Sequence, residues 1–285
     1  MRIALLADIH GNLPALQAVM EQIRTLEVDR MVFLGDYSFG LPFVNETISL
    51  IRSVPHAVAV RGNGEDRLLW LAGQERSGWT DGQMRAAYWT VRHLSRETFG
   101  LLASLPATAC LGEGPVPVYA AHTLLQMTGV DEPLGGGTPP ALPDGIPVGV
   151  YAFGHTHRSW HAHREKTILV NPGSVGLPMD GNPEAAYAIL DERGDTWQVE
   201  RHRVPYDVES VIAAVRTSSQ HAAAPVWTAL AIRELKTARN HVYPFLAWAE
   251  KYARQIGDPR RPFAPDTWEA AYHAWDFDAS FYLYR

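Results

Sequence analysis

The chain opens with Arg2-Ile3-Ala4-Leu5-Leu6-Ala7-Asp8-Ile9-His10-Gly11-Asn12, and this stretch decides the fold class. Its apolar run predicts a buried strand over Arg2–Ala7, because strands that are covered on both faces read as continuous apolar sequence. Residues 13–26 then carry apolar side chains at helical spacing, and a second apolar run follows over Met31–Leu34. A helix over Val44–Arg52 and a strand over Ala57–Val60 continue the alternation. This rhythm predicts an α/β fold built from βαβ units around a parallel sheet.

The predicted strands share one feature, which is that metal-binding residue types follow where they end. Further strands are predicted over Val116–Ala121 and Val148–Phe153, and then near residues 167–171, 186–190 and 196–203. The polar residues at five of the strand ends are Asp8, His10, Asp36, Asn63, His122, His155 and His157. Because ligands bind outside the carboxyl ends of strands in open α/β sheets, we expect these side chains to meet.

The composition of this set indicates the kind of ion that it would bind. Mixed imidazole and carboxylate ligands suit Mn²⁺, Fe or Zn²⁺ better than Ca²⁺. Seven ligands exceed the needs of one tetrahedral site and suit two ions that share a bridging carboxylate. We therefore predict two divalent metal ions, with Mn or Fe preferred and Zn as the alternative.

The order of these blocks is similar to that of a known family. Asp8-x-His10, Gly35-Asp36, Gly62-Asn63, His122 and Gly154-His155-Thr156-His157 resemble the motifs of the calcineurin-like metallophosphoesterase superfamily, in its small bacterial phosphodiesterase-like branch. The resemblance implies a four-layer α/β/β/α sandwich around a dinuclear centre. It places Asp8, His10 and His157 on one metal and Asn63, His122 and His155 on the other. Asp36 would bridge the two and hold a metal-bridging hydroxide as the nucleophile, with Asn63 and His122 in support.

One departure from the family pattern bears on the substrate. Many members carry a histidine directly after the Gly-Asn block, and that residue protonates the leaving group, whereas this chain has Gly64. Glu65, Asp66 or a distant histidine could replace it, and the spacing selects none of them. Since general acid catalysis contributes about 10²–10⁴-fold, its loss favours substrates with good leaving groups or diesters. We therefore predict a phosphodiester or nucleotide-type substrate.

Candidate substrate contacts are fewer and less specific than the metal ligands. Asn12 and Asn63 are beside the predicted centre, and Arg61 or Arg158 could contact a phosphate. The segment Gly35–Gly40 has no arginine of the kind with which Ser/Thr protein phosphatases grip phosphate. A phosphomonoesterase, including a Ser/Thr-type protein phosphatase, is the alternative within the enzyme class. A non-catalytic metal-binding interaction scaffold is the alternative of another class.

Composition limits the partners and the location. A formal net charge of −6 over 285 residues argues against general coating of nucleic acid, which needs a basic surface. We find no apolar run of the ~20 residues that a membrane span requires. The single cysteine, Cys110, excludes an internal disulfide, which fits a reducing compartment. We expect its side chain to be buried. We therefore expect a cytoplasmic protein that acts on a small phosphoester or nucleotide.

The chain is expected to have two parts. Residues 1–205 carry the predicted strands and form the metallophosphoesterase domain, with a helical insert at about 65–105. Residues 206–285 show helical spacing and many aromatic residues, which predicts a helical C-terminal extension that packs on the core. Such aromatic side chains are more often core or subunit interface than ligand contacts, so a homodimer is also expected.

Overall fold

The computed structural model describes residues 1–112, 114, 116–132 and 139–277, so residues 278–285 of the predicted extension lie outside the described residues. The strands of this part are β1 (Arg2–Leu6), β2 (Arg30–Phe33), β3 (Val58–Ala59), β4 (Thr108–Leu111), β5 (Val118–Ala121), β6 (Val150–Ala152), β7 (Ser159–Arg164), β8 (Thr167–Pro172), β9 (Ala185–Arg193) and β10 (Thr196–Val204). The helices are α1 (Leu13–Ile23), α2 (Val44–Arg52), α3 (Asn63–Ala72), α4 (Arg85–His93), α5 (Arg96–Ser104), α6 (Leu124–Thr128), α7 (Val208–Thr217), α8 (Ser219–Ala223), α9 (Pro225–Thr237), α10 (Val242–Gln255) and α11 (Pro265–His273).

The strands form two five-stranded sheets with the orders β10-β9-β1-β2-β3 and β4-β5-β6-β8-β7. The pairs β1–β2 and β2–β3 are parallel, as are β5–β6 and β6–β8. The parallel pairs fit the predicted βαβ units, and antiparallel strands extend both sheets, β9 and β10 on one and β4 and β7 on the other. Hairpin-connected strands need no helical crossover, so they extend the sheets without a βαβ unit.

The two sheets pack face to face and are covered by helices outside, which confirms the predicted α/β sandwich. In β1, Ile3 and Leu5 point into the apolar layer between the sheets, whereas Ala4 and Leu6 point toward α1 and α2. This alternation is the period of two that a strand imposes on its side chains. The outer face of the second sheet is covered more thinly, by α6 and the chain around Leu142 and Ile146.

Two details of this region differ from the sequence expectations. Strand β4 was not predicted, because it is short, lies at a sheet edge and has mainly exposed side chains. Cys110 lies on β4 and is exposed, so the expectation of a buried cysteine was wrong. The predicted helical insert at 65–105 is an interrupted run of α3, a 3₁₀ turn at Arg76–Gly78, α4 and α5.

The described chain after β10 is helical and contacts both the sheets and the insert. Val211, Ala231 and Leu235 of α7 and α9 pack on Leu41 and Leu177, which lie in loops near the strand ends. Near α11, the Gly82 amide of the insert donates a hydrogen bond to the Phe263 carbonyl at 2.8 Å. The boundary at residue 205 stays a prediction.

In the described part of the chain, we find no helix that combines the length and the apolar composition needed to cross a bilayer.

Candidate metal centre

The polar residues that follow the strands converge at one edge of the sandwich. Two overlapping groups have ligand atoms within 4.8 Å of one another, namely Asp8 with His10 and His157, and Asp8 with Asp36 and His122. Asn63 adjoins them, since its Oδ1 lies 2.8 Å from His122 Nε2. The His155 ring stands edge-on to that of His122, with 5.2 Å between the ring centroids. The structure thus brings together all seven of the residues that the sequence predicts as ligands.

The backbone of this edge is held in an uncommon conformation. Five of the seven residues have a positive φ, namely Asp8 (54°), His10 (52°), Asp36 (54°), His155 (74°) and His157 (58°). A left-handed conformation is uncommon for residues other than glycine and costs on the order of 1–3 kcal/mol at each position. Such strain persists only where the surrounding structure holds it, and it is concentrated at functional sites. The local conformation therefore supports a functional role for this edge.

Glycines let the loops approach the two carboxylates closely. A Cβ atom on Gly62 would stand 2.2 Å from Asp36 Oδ1, and one on Gly154 would stand 2.5 Å from Asp8 Oδ2. The amide of Gly64 donates to Asp36 Oδ1 at 2.7 Å, and that of His155 donates to Asp8 Oδ2 at 3.0 Å. Main-chain donors therefore orient both carboxylates.

Three histidines direct their Nε2 atoms into the cluster. The Nδ1 atoms of His10, His122 and His157 each donate to a main-chain carbonyl oxygen, those of Phe39, Leu34 (2.8 Å) and Leu177 (2.6 Å) respectively. This places the proton on Nδ1 and leaves the Nε2 lone pair free, which is the usual arrangement of a metal-binding histidine.

The spacing of these lone pairs fits a cation. His10 Nε2 and His157 Nε2 are 3.0 Å apart, although both are acceptors in this tautomer. Two nitrogens bound at about 2.1 Å to one metal at a right angle would be about 3.0 Å apart. The donors that are present therefore suit a metal ion between them.

Burial and neighbouring charges act on the pKa values of these groups. Burial lowers the pKa of the His10 and His155 imidazoles, and it lowers that of His157 further with help from His10. These rings are therefore neutral, as ligation requires. Burial raises the pKa of the Asp8 carboxyl well above its ordinary value, and Asp36 adds to the effect. At Asp36 burial acts in the same direction, but its neighbours, His122 foremost, outweigh it and lower the pKa of this carboxyl. Burial alone would lower the pKa of the His122 imidazole, but Asp36 and Asp8 raise it above its ordinary value.

Residues 1–195 match the family model of the calcineurin-like phosphoesterase superfamily domain. The chain belongs to this superfamily. The match confirms the predicted family, and it supports a hydrolase that acts on phosphoester bonds. The superfamily typically binds divalent metals, and the buried Asp and His cluster is a plausible place for them.

This calcineurin-like chain is similar to proteins from three other organisms. It is 30% identical over 224 residues to the uncharacterized protein MJ0912 of Methanocaldococcus jannaschii, covering 73% of this chain and 88% of that one. A metallophosphoesterase from Sphaerobacter thermophilus is similar in structure, with 25% identity, a TM-score of 0.61 and coverage of 84% and 100%. The hypothetical protein PH1004 from Pyrococcus horikoshii OT3 shares the fold, with 21% identity, a TM-score of 0.65 and coverage of 84% and 99%.

A cavity of about 150 Å³ opens onto this cluster. One side is formed by predicted ligands, including His10, Asp36 and Asn63, and the other by residues of the C-terminal helices. The latter residues are Trp227, Ala231, Glu234, Asn240, Val242 and Tyr243. The sequence predicted that the extension packs on the core but assigned none of these residues to a binding site, because no motif marks a residue whose role depends on how distant helices pack.

Contacts explain how the C-terminal helices reach the cluster. The Trp227 ring packs on that of Phe39 with 5.1 Å between centroids, and Gln220 Nε2 donates to the Gly40 carbonyl at 3.1 Å. Phe39 and Gly40 belong to the loop after Asp36, and the Phe39 carbonyl also holds His10. The extension therefore supports the loop that positions two of the predicted ligands.

Two predicted substrate contacts are placed elsewhere. Asn12 is fully buried, where its Oδ1 accepts the Ala15 amide at 3.2 Å and its Nδ2 donates to the Gly176 carbonyl at 2.8 Å. Asn12 therefore caps α1 and ties two loops together. Arg61 pairs with Asp66 at 2.5 Å and is absent from the cavity lining in the described chain. Arg158, by contrast, lines the cavity.

Glu65 has a role that the sequence did not indicate. Its buried carboxylate accepts the amides of Asp36 at 2.8 Å, Tyr37 at 2.9 Å and Gly62 at 3.0 Å. Ser38 adds its amide and its hydroxyl. Both carboxylate oxygens are therefore occupied by donors, which rules out the considered role of Glu65 as proton donor. It is a positioning residue for Asp36.

Proposed function

We propose that this chain is a metal-dependent phosphoesterase that hydrolyses a phosphodiester or nucleotide-type substrate with two divalent metal ions. The observation that carries the proposal is the pair of buried ligand groups that share Asp8, with histidine Nε2 atoms directed into them. Asp8, His10 and His157 would hold one ion. Asn63, His122 and His155 would hold the other, and Asp36 would bridge the two. Imidazole and carboxylate ligands favour manganese or iron, with zinc as the alternative.

The residues around the centre have distinct tasks in this proposal. Asp36 Oδ2 lies 3.9 Å from His10 Nε2 and 3.6 Å from His122 Nε2, so its carboxylate faces both halves of the site and suits the bridging position. The bound ions would supply Lewis acidity and a water of lowered pKa. Arg158 lines the cavity, where its guanidinium would pair with phosphate oxygens.

The surroundings of Gly64 support a diester over a monoester. A Cβ atom at this position would lie 2.9 Å from Asp36 Oδ1 and 3.4 Å from the Phe39 Cβ, so a histidine could not enter without displacing the bridging carboxylate. The opposite wall of the cavity includes the apolar residues Trp227 and Val242. A diester carries one negative charge where a monoester carries up to two, so it loses less hydration against such a wall.

The choice between substrates is tested with chromogenic esters. Metal-free protein is reloaded with Mn²⁺, and its turnover of bis-4-nitrophenyl phosphate is compared with that of 4-nitrophenyl phosphate. We expect a higher kcat/KM for the diester. Equal or faster monoester turnover would favour the phosphomonoesterase alternative. Binding of metal without hydrolysis of either ester would favour the interaction scaffold.

The metal centre is tested by substitution of its proposed bridge. Asp36→Asn keeps the size of the side chain and can still accept the Gly64 amide, but it removes the charge. We expect metal content to fall and kcat/KM to decrease at least about 100-fold, since even a partner of a ligand costs 10–100-fold. Asp195→Asn, in the exposed turn between β9 and β10, is the matched control. Full metal content and activity in Asp36→Asn would contradict the two-ion site.

A further inference from the structure

We propose that Glu234, on α9 of the C-terminal helices, donates the proton to the leaving-group oxygen when the phosphoester is cleaved. The inference rests on the proposed function and assigns the general acid that the chain lacks at Gly64. Glu234 is far from the metal motifs in sequence, and α9 brings it to the wall that faces them.

Glu234 lines the same cavity as the predicted metal ligands. Asp36, Asn63 and His155 line one wall, and Glu234 lines the wall contributed by α9 and α10. The volume of about 150 Å³ is below the roughly 300–1,000 Å³ that is usual for small-molecule sites. A phosphoester that fills so small a cavity would therefore lie within reach of both the predicted ligands and the residues of α9 and α10.

The hydrogen bonds of Glu234 leave one of its oxygens for this task. Glu234 is 3% exposed, and its Oε1 accepts the amides of His241 at 2.8 Å and Val242 at 3.1 Å. Within the described chain, we find no hydrogen-bond donor at its Oε2. The first oxygen thus supports the start of α10, and the second is available to carry a proton toward the cavity.

The acidity of Glu234 suits a proton donor at neutral pH. Burial raises the pKa of its carboxyl to about 7, against the two amide hydrogen bonds, which lower it. A general acid is most effective when its pKa lies near the operating pH. The other charged or titratable groups that line the cavity are His10, Asp36, His155, His157, Arg158 and Tyr243. Tyr243 is the rival donor, but burial raises its pKa above the ordinary value of 10, which makes it a far weaker acid.

The proposed step balances as follows for a diester and one water. The P–O bond to the leaving group breaks while the water oxygen forms a new P–O bond. The leaving oxygen takes the proton of Glu234 Oε2 and departs as an alcohol or phenol. Of the two water protons, one stays on the new P–OH group and the other passes to solvent. The Glu234 carboxylate then regains a proton from solvent, so that one water is consumed per bond.

The test is the dependence of Glu234→Gln on the leaving group. Glutamine keeps the size of the side chain and an oxygen for the two amides, but it has no acidic proton. We expect kcat/KM for diphenyl phosphate, whose phenolate is a poor leaving group, to fall about 10²–10⁴-fold. For bis-4-nitrophenyl phosphate, whose leaving group needs little protonation, we expect a decrease of less than about 10-fold. Glu209→Gln, an exposed position on α7, is the matched control.

The outcomes separate a catalytic from a structural role. Equal losses on both esters, or no loss on either, would overturn the assignment of Glu234 as the acid. A second measurement needs no variant, because wild-type kcat/KM for diphenyl phosphate should decline as the pH rises above about 7 while that for the nitrophenyl ester does not. Parallel pH profiles for the two esters would also overturn it. If the wild type hydrolyses neither ester with Mn²⁺ bound, the proposed function itself fails.

Discussion

Replacing Glu65 with glutamine is expected to destabilise the protein by about 2–6 kcal/mol. Each Glu65 oxygen accepts buried main-chain amides, with Asp36 and Gly62 on Oε2 and Tyr37 and Ser38 on Oε1. In glutamine one of these oxygens is replaced by an NH₂ group, which is itself a donor. The two main-chain amides on that side would then have no acceptor. A buried donor left without an acceptor costs about 1–3 kcal/mol, so two such donors account for the range. This is a large share of the ~5–15 kcal/mol that stabilises a typical domain.

The effect is measured by urea unfolding of EDTA-treated protein, so that metal binding does not contribute. Mn²⁺ stoichiometry after reloading should also fall, because the Asp36 amide is one of those released. The matched control is Glu46→Gln, which makes the same change at an exposed position in the first turn of α2. If the two variants differ by less than about 1 kcal/mol, the argument from buried amides is refuted.

Three further predictions concern stability. Because burial raises the pKa of Glu234 to about 7, the folded state binds this proton more tightly than the unfolded chain does. The resulting contribution to the free energy of unfolding, about 3 kcal/mol, is fully present below the ordinary glutamate pKa of 4.5 and is lost as the pH rises through 7. Urea unfolding at several pH values should show this decline in the wild type but not in Glu234→Gln. Gly176→Ala should lower the melting temperature, since its Cβ would lie 1.9 Å from the Ile9 carbonyl oxygen. Gly100→Ala should instead stabilise the protein by about 0.5–1 kcal/mol, because this helical glycine has open space around it and alanine lowers the conformational entropy of the unfolded chain. A melting temperature below that of the wild type would contradict this prediction.

Much of the candidate centre could be predicted from the sequence because strand ends lie together in this kind of fold. The apolar run before Asp8 and the helical spacing after Asn12 indicate a strand followed by a helix, and the same signals recur before Asp36. Parallel neighbours in a sheet must end at one edge, so the residue types that follow them indicate the chemistry there. The positive φ of His155 and His157 was not predictable, because strain at a non-glycine residue depends on the contacts that hold it.

Only the tertiary structure could decide the roles that depend on side-chain direction. Asn12 follows the first motif, but its side chain turns to the Ala15 amide and the Gly176 carbonyl. Glu65 directly follows Gly64 in the sequence, yet its carboxylate points back to the amides around Asp36. Glu234 is far from these motifs, and it reaches the cavity because α9 packs on the loops at the sheet edge.

The physical reason for this division lies in the range of the interactions. Apolar periodicity and strand-end residues reflect local backbone geometry and burial, which the order of amino acids along the chain sets directly. The predicted metal ligands are therefore readable as a family pattern from the residues alone. The second wall of the cavity depends on contacts between helices and loops far apart in the chain, such as that between Phe39 and Trp227. These contacts exist only once the chain has folded, so no local pattern marks them.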